Sequence, residues 1–352
     1  MIPAAPVVAP APVVYGSIAV RTGGGTRLLV PTVDGRALPA LRVRPGPRRL
    51  AVRLPSGHWR VRVRAVGLRG ARASGVHDVW VLPARAHTAG TSRGRVDRVL
   101  QRRVQALSAG APFVNGIYAR NLVTGCGAAV NAGAPFPAAS TLKAAILLDA
   151  VRRPHGEPAA LLDRMIIDSD DVAANQVLGM QGGGDALAGA AGVTATMRAA
   201  GMTRSLVRRP YIIDQERIPV DALAQPELYT NYVATPYDLA TLMVGLHQAS
   251  IGRGPVRRMG VGPMVTRREI TRRLLSVRDR SKIVAGVPAS MPVAHKTGYT
   301  TEIKADAGIV YAPRGPIVLS VMGWSNSGAS EAFIADVARA VVGRLSGGGA
   351  CR

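Results

Sequence analysis

Two rhythms of apolar and polar residues divide this chain. From about Tyr15 to Pro83 the period is two. Leu50-Ala-Val-Arg-Leu54, Trp59-Arg-Val-Arg-Val-Arg-Ala65 and Val79-Trp-Val-Leu82 read as strands. Turn signals separate them at Thr22-Gly-Gly-Gly25, Asp34-Gly35, Pro45-Gly46 and Ser56-Gly57. Short strands at this spacing predict a small all-β sandwich over residues 15–83. The stretch 1–14 is apolar, carries Pro3, Pro6, Pro10 and Pro12, and lacks a cation. A secretory signal wants a basic front and a helical core, so this reads as an extended Pro-rich leader or the remnant of a trimmed signal. Residues 84–94 have no period and read as a linker.

Beyond the linker the period lengthens. Val96, Val99, Leu100, Val104 and Leu107 form one stripe, which predicts a helix from about Arg95 to Ala109. Phe113 to Arg120 and Ala128 to Asn131 read as a hairpin around Thr124-Gly125. A helix begins near Ser140 and runs to Val151. The pattern stays mostly helical to about Ala249, except for an irregular stretch from Arg208 to Ala234. Strands return at Val293–Thr297, Ala307–Tyr311 and Ile317–Trp324, followed by an amphipathic helix, Glu331–Leu345. Strands at both ends with helices between them predict an α+β domain over residues 95–346, its sheet drawn from both termini, and a short tail at 347–352.

Composition narrows the class. With 352 residues and 47% hydrophobic residues, the chain can bury a core, which excludes a disordered polyelectrolyte. Cys126 and Cys351 are its two cysteines, too few for a disulfide scaffold or a four-cysteine zinc site. They pair with each other or remain free thiols; the sequence leaves both open. Net charge is +24, and lysine occurs only at Lys143, Lys282, Lys296 and Lys304. Such a surface suits an anionic envelope polymer, or simply reflects a composition rich in Arg, Ala, Gly and Pro. Aromatics at 4% argue against the stacking platforms of nucleic-acid binders, so no specific nucleic-acid partner is expected. The best apolar run, Ala144 to Leu148, stops at Asp149, so no transmembrane segment is expected. Asp34, His58, His77 and Asp78 show no metal-ligand spacing; no metal or cofactor is expected.

The chemistry concentrates in three groups. Ser140-Thr-Leu-Lys143 opens a predicted helix, and its spacing sets both side chains on one face, a turn apart. A neutral amine there can take a serine proton, and the unpaired N–H groups of the helix start can stabilise an oxyanion. Alone, the same residues read sooner as an N-cap serine and a solvated lysine. Ser169-Asp170-Asp171 follows the apolar run Met165-Ile-Ile167 and precedes Val172-Ala-Ala-Asn175, and Lys296-Thr-Gly298 lies on a predicted strand. In this order the three groups resemble the motifs of class A β-lactamases and penicillin-binding serine hydrolases. Gly116-Ile-Tyr-Ala119, Phe136-Pro-Ala-Ala-Ser140, Gly182-Gly-Gly184 and Met197-Arg-Ala-Ala-Gly201 are similar to the flanking segments of that family. The resemblance covers about Arg95 to Leu345.

The resemblance implies a β-lactamase/transpeptidase-like fold preceded by the sandwich. It implies an acyl-enzyme serine hydrolase acting on an amide, either a β-lactam or a peptidoglycan stem peptide ending in D-Ala-D-Ala. Ser140 would be the nucleophile, Lys143 its base or proton relay, and Ser169 the carrier of the proton to the leaving nitrogen. Lys296, Thr297, Gly298 and Tyr299 would line the substrate site, with the backbone N–H groups of Ser140 and Tyr299 as oxyanion hole. Asp171 stands where the family usually has an asparagine. Asn175 looks structural. Aligning Leu206 to Arg209 with the start of the family's Ω-loop sets Pro210 where its deacylating glutamate is expected, leaving Asp214, Glu216 and, as our choice, Glu227 as substitutes. Ala307 takes the place of a substrate-binding arginine, with Lys304 as the candidate to compensate. A secreted or envelope location follows from resemblance alone. The competing reading is a non-catalytic envelope-binding protein whose former active site is a recognition groove.

Overall fold

A computed structural model describes residues 3–9, 11–44, 46–88, 94–211, 232–347 and 351. The chain forms two compact units, residues 1–87 and 88–352.

The first unit is built of two sheets. A three-stranded antiparallel sheet has the order Val7–Val8, Ser17–Thr22, Arg48–Arg53. The second runs Val13–Tyr15, His77–Leu82, Gly57–Gly67, Leu28–Val33, Arg36–Ala37, with Leu41–Arg42 and Gly70–Ala73 paired beside it. Ile18, Val20 and Val52 from one sheet and Leu29, Val61, Val63, Val79 and Val81 from the other share one core. Period-two alternation decides the faces: Val61, Val63 and Ala65 are buried, whereas Arg60, Arg62 and Arg64 are exposed. The proposed leader is corrected here. Val8, Val13 and Val14 are buried apolar residues, and the strands Val7–Val8 and Val13–Tyr15 pair within the two sheets. Proline punctuates them without preventing pairing, because both lie at sheet edges.

In the second unit a six-stranded sheet has the order Arg95–Val96, Cys126–Val130, Val114–Asn121, Gly315–Trp324, Ile303–Ala312, Val293–Tyr299. The first helix is Arg98–Gly110; it starts later than the apolar stripe suggests because the Asp97 carboxylate accepts from Leu100 N–H and fixes the N-cap. This helix and Glu331–Leu345 share a core with the sheet through Leu100, Val104, Ile117, Leu319, Val321, Ile334, Val337 and Val341. The helix Lys143–Arg152 is apolar nearly all round, and its residues 143–150 are buried. The helices Ala159–Ile167, Asp171–Gln181, Ala186–Ala199 and Pro236–Ser250 complete the helical layer. A disulfide joins Cys126, inside the sheet core, to Cys351.

Candidate active site

A tight 3-10 turn, Ala139–Leu142, leads into the helix Lys143–Arg152. Ala139 takes the left-handed conformation, φ 44°, to enter it. Lys143 N–H donates to Ser140 O, so Ser140 stands one turn before Lys143. The turn packs on the edge strand Val293–Tyr299 at Gly298, where an added Cβ would lie 2.7 Å from Ala138 O and 3.0 Å from Thr141 N. Glycine is required there because two backbones touch. Thr300 N–H donates to Ile303 O at 3.1 Å, and the pairing of Tyr299 with Lys304 therefore turns the Tyr299 N–H to the free edge of the sheet.

The second motif forms the turn between Ala159–Ile167 and Asp171–Gln181. Asp170 caps the latter helix, accepting from Ala173 N–H at 2.9 Å, and Arg164 Nε holds the same carboxylate at 3.0 Å. Ser169, before the cap, is left-handed at φ 62°. That conformation is uncommon for a residue with a Cβ, and it presents Ser169 to both lysines. Lys296 Nζ donates to Ser169 Oγ at 2.8 Å and to Thr297 O at 2.9 Å. Lys143 Nζ donates to Ser169 O at 2.5 Å, lies 3.5 Å from Ser169 Oγ, and is ion-paired to Asp171 Oδ1. Lys143 and Lys296 are fully buried, whereas the Asp171 side chain is 44% exposed.

Burial sets the proton affinities. Lys296 is held down to about 7, chiefly by desolvation and then by the charge of Lys143. Lys143 is also lowered by desolvation, against the opposing pull of Asp171. Thr297 Oγ1 is buried without a hydrogen-bond partner among the described residues. Such an orphan costs about 1–3 kcal/mol until something bonds it.

The expected sequence groups thus fall in one place: Lys143, Ser169, Asp171, Lys296 and Thr297 by direct contact or adjacency, and Ser140, Gly298 and Tyr299 through the turn and the strand edge. Glu227, with Asp214 and Glu216, lies outside the described residues. The Ω-loop alignment is corrected by one residue. Asn175 brackets the backbone of Tyr211, donating to its O at 2.7 Å and accepting from its N–H at 2.6 Å. The side chain delivered beside the nucleophile turn is therefore that of Tyr211, not Pro210. Its ring lies 4.7 Å from Lys143 Nζ, its hydroxyl donates to Ala139 O at 3.2 Å, and it stacks on Tyr232 at 4.0 Å. Burial pushes the Tyr211 phenol well up, so it stays neutral. The motif reading missed this residue; the paired aromatics in the irregular stretch carried no periodicity to flag it.

Lys304 Nζ donates to Thr300 O at 2.7 Å and lies 5.8 Å from the Tyr299 ring centre. Lys282, also missed, is buried and ion-paired to Asp279 and Glu331, its Nζ 5.2 Å from the same ring centre. His295 faces inward, its Nδ1 3.0 Å from Asp306, and belongs to the core rather than to a triad. Among the described residues no cluster of His, Cys, Asp and Glu could hold a metal ion.

This sheet, helix and three-motif arrangement is the β-lactamase-like fold. The chain belongs to the Beta-lactamase enzyme family, whose model matches residues 99–156 and 158–345. No curated protein matches. Among solved structures, PBP-A is 24% identical with a TM-score of 0.59, over 73% of this chain and 99% of that one. A variant of the class A β-lactamase of the last common ancestor of Gram-negative bacteria is 22% identical with a TM-score of 0.57, over 71% of this chain and 100% of that one. A β-lactamase from Desulfarculus baarsii is 21% identical with a TM-score of 0.57, over 72% and 99%. A mutant of PBP-A, solved as its acyl-enzyme complex with penicillin-G, is 24% identical with a TM-score of 0.58, over 73% and 99%.

Proposed function

We propose that this protein is a penicillin-recognising serine hydrolase that acylates itself at Ser140 and releases the acyl group slowly. The observation that carries this reading is the convergence on the Ser169 hydroxyl of two buried lysine amines, one of them that of Lys143, a helical turn from Ser140. Ser140 Oγ attacks the carbonyl carbon, passing its proton to the Lys143–Ser169 relay. The new C–O bond gives a tetrahedral oxyanion, which collapses as the C–N bond breaks and Ser169 returns a proton to the departing nitrogen. The N–H groups of Ser140 and Tyr299 receive the oxyanion. Lys296 and the unpaired hydroxyl of Thr297 take the substrate carboxylate. The substrates are β-lactams and, by the same chemistry, D-Ala-D-Ala-like stem peptides; no cofactor enters. Support comes from the family and from the acyl-enzyme of a PBP-A mutant with penicillin-G.

Slow release follows from Tyr211. A neutral phenol bonded to Ala139 O cannot activate a water as a carboxylate does. Glu227 remains the candidate should a deacylating acid act. The Cys126–Cys351 disulfide favours an oxidising location outside the cytoplasm, in the envelope or secreted. Among the described residues no helix is long and apolar enough to cross a membrane.

A second reading concerns the sandwich. Residues 1–87 carry 14 arginines and two aspartates, a net +12, and Arg60, Arg62 and Arg64 form an exposed row on one strand. That row suits an anionic envelope polymer, with the hydrolase site as a recognition groove.

Labelling with a fluorescent penicillin tests the main reading. We expect covalent label on the wild type and none on Ser140→Ala; equal labelling of both, or none of either, favours the binder. A chromogenic cephalosporin should give a burst of about one equivalent followed by slow turnover. Sustained fast turnover that is lost in Glu227→Gln would assign deacylation to that residue instead.

A further inference from the structure

The cleft is electrically lopsided. On the side of the edge strand it offers donors: Lys296, the Thr297 hydroxyl and the Tyr299 N–H. On the opposite side, at the first residue of the helix Asp171–Gln181, it offers an acceptor. Lys143 takes Asp171 Oδ1 alone. Among the described residues Oδ2 has no hydrogen-bond partner, and the side chain is 44% exposed beside a fully buried lysine. A carboxylate accepts and never donates, so whatever a substrate places there must carry N–H and cannot be a carbonyl oxygen. The buried phenols of Tyr211 and Tyr232 feel the charge of Asp171 and stay neutral, so they bring it no counter-charge. Asp171 is also close to the reacting carbonyl: its partner Lys143 is one turn from Ser140, and Ser169 is two residues away.

We infer that Asp171 makes this site selective for acyl donors bearing a free amine on the carbon next to the scissile carbonyl, with a carboxylate at the other end. The amine donates to Asp171 Oδ2 while the carboxylate lies toward Lys296 and Thr297. A free amine brings two N–H donors and no acceptor carbonyl, whereas an acylated nitrogen keeps one N–H and adds a neighbouring carbonyl oxygen that the carboxylate repels. This inference rests on the acylation reading above and narrows its substrates, since stem peptides carry an acylated nitrogen at this position.

Two penams that share the carboxylate and differ at this one position test it: 6-aminopenicillanate, with the free amine, and benzylpenicillin, with the amine acylated. Second-order rates of adduct formation on the full chain are followed by intact mass, each divided by the compound's rate of alkaline hydrolysis. The wild type should favour 6-aminopenicillanate by about fivefold or more. Asp171→Asn, which can donate to a carbonyl, should shift the ratio toward benzylpenicillin by about tenfold. Releasing Lys143 in that variant changes both rates alike and cancels in the ratio, so a merely structural role leaves the ratio where it was. Preference of the wild type for benzylpenicillin, or an unmoved ratio in Asp171→Asn, overturns the inference while the adducts themselves uphold the acylation reading. No adduct from either compound overturns both. The wild-type ratio decides alone should the variant fail to fold.

Discussion

Lys296 shows how a buried position gives an ordinary side chain unusual properties. Lys296 loses its proton near pH 7 because the interior disfavours charge and Lys143 adds to the penalty. An ammonium attracts a carboxylate and an amine does not. The rate of labelling by an anionic penicillin should therefore fall at least about fivefold from pH 7 to 9, and stay flat in Lys296→Arg, which keeps its charge. Stop-flow or gel readout of the fluorescent adduct measures both. Stability follows the opposite sign. Between pH about 7 and the ordinary lysine value of 10.5, the unfolded chain holds a proton that the folded chain has lost, so the contribution of Lys296 to stability grows with pH. The individual catalytic candidates were legible because lysine is scarce in this chain: two of its four lysines fall in motifs. Tyr211 was not, because its placement depends on Asn175 gripping backbone 36 residues away. No local pattern encodes such a contact.

At the level of elements, the site depends on how closely the edge strand approaches the turn before Lys143. Gly298→Ala would push a methyl group into Ala138 O and Thr141 N, both backbone atoms that cannot rotate aside. We expect labelling to slow about tenfold or more, since small misplacements at a reacting centre are costly, with secondary structure by circular dichroism unchanged. The strands and the last helix were readable from periodicity: Glu331–Leu345 begins and ends as the apolar stripe says. Helix starts were less so. Asp97 and Asp170 set two of them by accepting backbone N–H groups, and a cap search of Asp97-x-x-Leu100 and Asp170-x-x-Ala173 would have found both. The leader was misread for a related reason. Its prolines suggested extension without pairing, yet extended backbone at a sheet edge pairs wherever its N–H groups are free, as at Val7–Val8 and Val13–Tyr15.

For the whole molecule, the sequence left the fate of the two cysteines open, because spatial proximity across 225 residues has no signature in the chain. The bond ties the end of the chain to the sheet core. Replacing both cysteines with serine should lower unfolding stability by about 2–4 kcal/mol, measured by urea titration, and reduction of the wild type should reproduce the loss. The two-unit division was visible as the change of period, since a sandwich and a helix-covered sheet bury their apolar residues at different intervals. The bond has a topological effect as well. Residues 126 and 351 close a covalent ring containing Ser140, Lys143, Ser169 and Lys296. A single protease cut inside that ring leaves every one of these residues on one connected molecule. The sandwich residues lie outside the ring, so one cut between the units severs their covalent link to the site residues.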